Sequence, residues 1–182
     1  MAETSAQRVL AFWFETLTPK QWFAKDARLD RQIAEHFAGL HEAARANELW
    51  SWRESPQGRL AEILVLDQFS RNIYRDRPEA FAQDPQALAL AQVAVAHGAD
   101  RHLESVQRAF LYMPYMHSES LAIHDEALRL FAQSGLEENL RHERQHHDIL
   151  RRFGRYPHRN AILGRASTPE EEAFLAQPGS SF

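Results

Sequence analysis

Three stretches of this chain put polar side chains where helical periodicity asks for apolar ones. In the first, Asp67, Arg71 and Arg75 recur every four residues, continuing the stripe of Leu60 and Leu64, with Gln68 and Asn72 alongside. Polar groups that enter an interior must find partners or face a pocket. The spacing supports an Asp67–Arg71 pair that cements helix packing, or an arginine-lined anion site that uses the planar guanidinium fork. The second stretch is Phe110-Leu111-Tyr112-Met113-Pro114-Tyr115-Met116-His117-Ser118-Glu119. Pro114 should break or kink a helix there, exposing carbonyls and re-aiming His117 and Glu119. Those two cannot face each other along a helix, and Ser118 is placed to cap the next one. The third stretch, Phe153-Gly154-Arg155-Tyr156-Pro157-His158-Arg159-Asn160, is a loop bounded by glycine and proline. It can present backbone N–H groups and guanidinium forks to an anion, or lie solvated on the surface with Phe153 and Tyr156 as anchors.

A fourth pattern is catalytic in form. His142-Glu143-Arg144-Gln145-His146 fits H-E-x-x-H, in which two histidines one turn apart bind zinc and the glutamate activates water. His142, His146, Ile149 and Phe153 share a helix face. No third ligand stands out, because Glu170 to Glu172 serve as helix-start residues, so the metal reading of His142, Glu143 and His146 is a minor alternative. His124, in step with Leu121, Leu128 and Phe131, reads as a satisfied core histidine.

The elements that must position these groups are helical throughout. Val9, Leu10, Trp13, Phe14 and Leu17 form one stripe of a first helix, and Pro19 starts a short turn. Asp26 or Asp30 can cap a helix carrying Ile33, Phe37, Leu40 and Ala44. A helix over 57–74 is apolar on almost every side from Leu60 to Leu66, apart from Glu62, and should run through the centre. Asp84-Pro85 reads as a cap with proline at the first helical position, and Gly98 as the left-handed stop. Further helices are expected over 103–113, 118–132 and 136–153, the last ended by Gly154. Thr168-Pro169-Glu170-Glu171 is a capping box that opens a short helix through Leu175. No stretch alternates with period two beside a hairpin turn signal. The expected fold class is all-α, eight or nine helices in one domain over 1–177, with a frayed tail at 178–182.

Composition narrows the function classes. The chain has 182 residues, 44% hydrophobic and 25% charged, with a formal net charge of −4. That charge does not suggest nucleic acid as a partner. No apolar run approaches the roughly 18 residues of a membrane span, and the short apolar stretch near the N-terminus, preceded by Glu3, does not resemble a signal peptide. With no cysteine there is no disulfide, thiolate nucleophile or Cys-bound zinc. These features read as a cytoplasmic protein. Seven arginines fall between Arg141 and Arg165, whereas the only lysines are Lys20 and Lys25.

Internal repetition is faint. Ala87-Leu88 through Gly98 and Ala127-Leu128 through Gly135 share a start and a stop, but their offset is nearer 40 than the 34 residues of a tetratricopeptide unit.

Taken together, Asp67 to Arg75, Tyr112 to Glu119 and Phe153 to Asn160, with Val9 to Phe14 and Trp22-Phe23, resemble a bacterial family described as a domain of unknown function. The resemblance runs from about residue 8 to residue 176. It implies packed antiparallel helix hairpins in a tetratricopeptide-like, right-handed superhelix. It also implies that Asp67, Gln68, Arg71, Asn72, Arg75, His117, Glu119, His146, Arg155, His158, Arg159 and Asn160 belong to the family's signature, with His142 outside it.

The leading expectation is binding of a small anionic molecule or peptide, with no cofactor. The pocket would be concave and lined by Arg71, Arg75, His117, Arg155, His158 and Arg159. An enzyme would use the same groups, with His117, Glu119 or His158 as acid–base candidates. A protein-interaction scaffold with an unspecified partner rests on fold analogy; two or more exposed residues among Trp13, Trp22, Trp50 and Trp52 would favour it.

Overall fold

The computed structural model describes residues 5–182; Met1 to Thr4, including Glu3, lie outside the described residues. Helix α1 (Ser5–Ala11) continues into a π turn (Phe12–Thr16), followed by α2 (Pro19–Trp22) and α3 (Ala27–Arg45). Then come α4 (Pro56–Leu64), a second π turn (Val65–Phe69) and α5 (Ser70–Ile73). The chain continues with α6 (Asp84–Ala96), α7 (Ser105–His117), α8 (Leu121–Phe131), α9 (Glu137–Phe153) and α10 (Pro169–Leu175). Since α4 and α5 join through the π turn into one rod, the described residues form nine helical rods and no strand, the all-α class expected. No helix among them is long and apolar enough to cross a membrane.

The central rod is the α4–α5 unit. Leu60, Ala61, Ile63, Leu64, Val65, Leu66 and Phe69 are all fully buried. Residues facing every direction are apolar, so neighbours can cover every side; α1, α3, α6 and α7 do so. Burying each such side chain contributes roughly 1.5–3 kcal/mol. Phe12, Trp13 and Phe37 close around Phe69, with Phe37 and Phe69 ring centroids 4.9 Å apart, and Phe110 packs on Trp13. The exception on the rod, Glu62, is buried and takes two hydrogen bonds from Arg53, at 2.6 and 2.7 Å.

Several helix ends follow the sequence signals. The Asp26 side chain accepts from the backbone N–H groups of Arg28 and Leu29, Gly154 ends α9 with φ 71°, and Thr168 and Glu171 form the capping box of α10. Three expectations are corrected. Pro114 does not end α7, which runs on to His117. Ala109 to Met116 are all buried, and that packing outweighs the roughly 3 kcal/mol a helical proline costs. Ser118 caps the end of α7 instead of the start of α8, where Ser120 holds the N-cap position. Asp84 does not cap α6: its carboxylate is engaged by arginines, and Gln83 takes the N-cap position without a side-chain bond.

Gly58 gives a direct test of the packing at the start of the central rod. A Cβ there would lie 2.0 Å from the carbonyl oxygen of Trp52. Ala is normally favoured over Gly in a helix by about 1 kcal/mol. Gly58→Ala is nevertheless expected to destabilise, by about 1–3 kcal/mol, because the Trp50–Glu54 turn must shift. Urea unfolding checks this; a stabilised variant would mean that the turn yields freely.

Candidate functional site

At the end of the central rod the apolar surface gives way to charge. Asp67 and Gln68 sit in the π turn, whose extra residue changes the direction of the side chains that follow. Asp67 is buried and its carboxylate is fully engaged. Oδ2 accepts from Gln68 Nε2 at 2.8 Å, while Oδ1 accepts from His117 Nδ1 at 2.7 Å and Arg71 Nη1 at 3.2 Å. Arg71 also forks onto Asp84 of α6, at 2.8 and 3.0 Å. From the turn Pro157–Arg159, Arg159 donates through Nη2 to the backbone oxygen of His117 at 2.9 Å. Each of the three sequence stretches therefore contributes a side chain to one connected cluster.

Arg159 is less well satisfied than Arg71. Its nearest carboxylate oxygen, on Asp84, is 3.5 Å away and belongs to a carboxylate that Arg71 already grips. Its Nε is buried without a hydrogen-bond partner among the described residues, and its guanidinium lies over the rings of Phe81 and Tyr156. Burial and repulsion from Arg71 lower its pKa, with Asp84 offsetting part of this. By contrast, Asp84 and Asp67 more than cancel the burial effect on Arg71 and raise its pKa.

Burial alone would push the Asp67 carboxyl up; His117 and Arg71 overcome this and hold it at about 2. An ionised Asp67 can only accept, so Nδ1 of His117 carries the proton of that bond. Burial, then Arg71, lower the His117 pKa against the pull of Asp67, so the ring is neutral at pH 7 with a lone pair on Nε2. His117 lines an open cleft of about 440 Å³, together with Asp84 and Arg159 and an apolar wall of Phe81, Leu88, Pro114 and Leu163.

Tyr156 backs this cluster, fully buried, donating from its hydroxyl to the Met116 oxygen at 2.6 Å. His146 and His158 each pack on its ring, and the Phe182 ring covers both, with centroid distances of 3.9 and 4.4 Å. Near the C-terminus, Ser180 Oγ donates to the Leu175 oxygen. Burial pulls the pKa of His146 down to about 3; burial and Arg159 pull that of His158 down to about 4.

The remaining candidates are held elsewhere. Arg75 forks onto Asp30 of α3, which also accepts from Asn72 at 2.8 Å. Arg155 forks onto Glu171 of α10 at 2.7 and 2.8 Å, and Asn160 donates to the same carboxylate. Glu119 takes a bidentate pair from Arg165 at 2.8 and 2.9 Å and a bond from the Tyr156 N–H, although it also borders the cleft. Within H-E-x-x-H, Glu143 turns into the core onto His124 at 2.6 Å, His142 sits by Glu138 in solvent, and His146 Nδ1 donates to the backbone oxygen of His142. The described residues contain no group of three or more His, Asp or Glu placed to hold a metal ion.

The sequence marks Asp84, an acid before a proline, as a cap and not as a site residue, and gives Phe81, Leu163 and Arg165 no role of their own. Trp13 is fully buried, Trp22 and Trp52 are half-buried, and Trp50 is exposed.

The family model "Bacterial protein of unknown function (DUF924)" matches residues 9–179. The solved structure of a protein of unknown function, ATU0120 from Agrobacterium tumefaciens, is similar to this chain with a TM-score of 0.90 and 39% identity. The match covers 94% of this chain and 96% of that one. No curated protein matches.

Proposed function

For this chain, which belongs to the bacterial DUF924 family of unknown function, we propose that the cleft binds a small molecule with an anionic head and an apolar body. The observation that carries this reading is Arg159: a buried guanidinium at the cleft wall whose Nε has no partner among the described residues and whose nearest carboxylate, Asp84, is shared with Arg71. An anion reaching it would complete its hydrogen bonding in a low-dielectric setting, where charge-assisted bonds are strongest. Phe81, Leu88, Pro114 and Leu163 suit an aliphatic or aromatic body. A volume of about 440 Å³ falls within the range of small-molecule sites. A tetratricopeptide-like superhelix would set such a cleft between successive hairpins, and an acidic peptide side chain could satisfy the same guanidinium.

A thermal-shift screen with phosphates, nucleotides, aliphatic and aromatic carboxylates and acidic peptides tests the proposal. A ligand at about 100 times its dissociation constant adds roughly 2.7 kcal/mol, or about 5–10 °C in Tm at this size. Arg159→Leu is expected to weaken that ligand by about 10- to 100-fold, the loss of a charge-assisted contact worth roughly 1.5–3 kcal/mol. Arg155→Ala should leave affinity unchanged, since Arg155 is spent on Glu171. If no compound shifts Tm, or if Arg159→Leu binds as tightly as the parent, the reading is wrong.

A further inference from the structure

Beside Arg159 stands a histidine whose surroundings do more than stabilise it. The Asp67 carboxylate fixes the His117 ring through Nδ1 at 2.7 Å and is itself held by Gln68 and Arg71. The opposite nitrogen, Nε2, has no hydrogen-bond partner among the described residues, and the ring lines the cleft. A buried carboxylate that orients an imidazole and leaves its far nitrogen unprotonated is the arrangement a general base requires.

Among the described residues no hydroxyl hydrogen-bonds to Nε2 of His117, and the chain has no cysteine. Ser118 Oγ is tied to the N–H of Ser120 within its own turn, and the Tyr156 hydroxyl donates to the Met116 oxygen. An open cleft admits water to Nε2, and water can serve as the nucleophile. Arg159, joined to the His117 backbone at 2.9 Å, is the cation positioned to meet charge that develops nearby.

We propose that this cleft hydrolyses small carboxylic esters with an apolar acyl group, with His117 as general base, Asp67 as its positioning residue and Arg159 as the oxyanion partner. His117 Nε2 takes a proton from water, and the hydroxide oxygen bonds to the acyl carbon. The carbonyl electron pair moves onto its oxygen, facing Arg159. Collapse of this tetrahedral species breaks the bond to the alcohol oxygen, which takes the proton from Nε2. The products are an alcohol and a carboxylic acid, which ionises to the amphipathic carboxylate. This inference rests on the binding reading above, since the product is the kind of anion assigned to Arg159. It adds a reaction and a substrate class.

The test uses p-nitrophenyl butyrate for turnover and butyrate for binding, each with the wild type, His117→Gln, Asp67→Asn and Arg155→Ala. Turnover above the buffer rate is expected in the wild type and in Arg155→Ala, falling about 100-fold or more in His117→Gln and Asp67→Asn. Butyrate binding retained in His117→Gln shows that this variant is folded and separates loss of the base from loss of the site. The wild-type rate should rise with pH through the His117 titration and level off above it. The charged and titratable groups around that ring are Asp67, Arg71, Asp84, Arg159, His146 and His158. Butyrate binding without wild-type turnover, or equal turnover in His117→Gln, overturns the catalytic inference and leaves the binding reading standing. Neither binding nor turnover overturns both.

Discussion

Replacing Arg71 with methionine is expected to destabilise the protein by about 3–5 kcal/mol, the range for removing one partner from a buried ion pair. Arg71 grips both Asp67 and Asp84, joining the central rod to the start of α6. Asp67 is 1% exposed. Without Arg71 it keeps Gln68 and His117, whose pKa rises once that cation is gone, and among the described residues Asp84 keeps a distant Arg159. Asp67 is then buried with less compensation and must protonate or pull in solvent, while Asp84 meets water at the cleft. Methionine fills much of the arginine volume, so little of the loss can come from a cavity. Domains are typically stable by only 5–15 kcal/mol, so a fall in Tm on the order of 10 °C is expected. Adding Asp84→Asn should recover part of the loss, because one uncompensated charge disappears. A cost below about 1 kcal/mol in denaturant unfolding would show that the aspartates are hydrated and the cluster is open.

The second large effect is a fall in stability between pH 6.5 and 4.5. Four histidines, His41, His117, His146 and His158, have pKa values lowered from 6.5, with burial the first cause in each. The unfolded chain takes up protons at these positions near pH 6.5, while the native state resists until lower pH, about 3 for His146 and about 4 for His158. Below 6.5 the unfolded state thus binds more protons, and stability falls as pH falls. At about 1.4 kcal/mol per proton per pH unit, His146 and His158 together account for losses on the order of 4–5 kcal/mol at pH 4.5. Carboxylates with lowered pKa values, such as Asp67 at about 2, add their own loss only below about pH 4. Tm measured from pH 7.5 to 4.5 should therefore decline on an acid limb, and His146→Phe should flatten it. A Tm that stays level down to pH 5 would contradict the native proton count.

Features that depend on neighbours in sequence were readable in advance. Gly98, Gly154 and the Thr168 box act within one turn, and the apolar circumference of Leu60 to Leu66 is a local pattern. What could not be read were choices between partners far apart. Arg71 meets Asp84 across 13 positions, Asn72 and Arg75 meet Asp30 across 42 and 45, and His117 meets Asp67 across 50. Residue type announces that such a group needs a partner, but not which one it finds. So the family resemblance could single out twelve polar residues, yet their division between scaffold and cleft was not legible. Arg75, Arg155 and Asn160 hold helices together, whereas His117 and Arg159 line the cleft and Arg71 stands behind them on Asp67 and Asp84. The expected end of α7 at Pro114 failed for a related reason, since burial on both sides of the proline outweighs its local preference.

The π turn at Val65–Phe69 also has a consequence for how sequences of this kind can vary in length. A π turn holds one residue more than the α-helical path it replaces, so it can be viewed as a tolerated single-residue insertion. Excising one position there would let the rod run as continuous α-helix and leave Ser70 to Ile73 facing as they do, because the wide turn takes up the extra residue within itself. Arg71 would keep Asp84, and Asn72 and Arg75 would keep Asp30, while only the surroundings of Asp67 and Gln68 changed. Losing one residue elsewhere in the rod would instead rotate everything beyond it by roughly 100° about the axis. A one-residue gap in an alignment of relatives should therefore be tolerated at this turn and rare in the α-helical parts on either side.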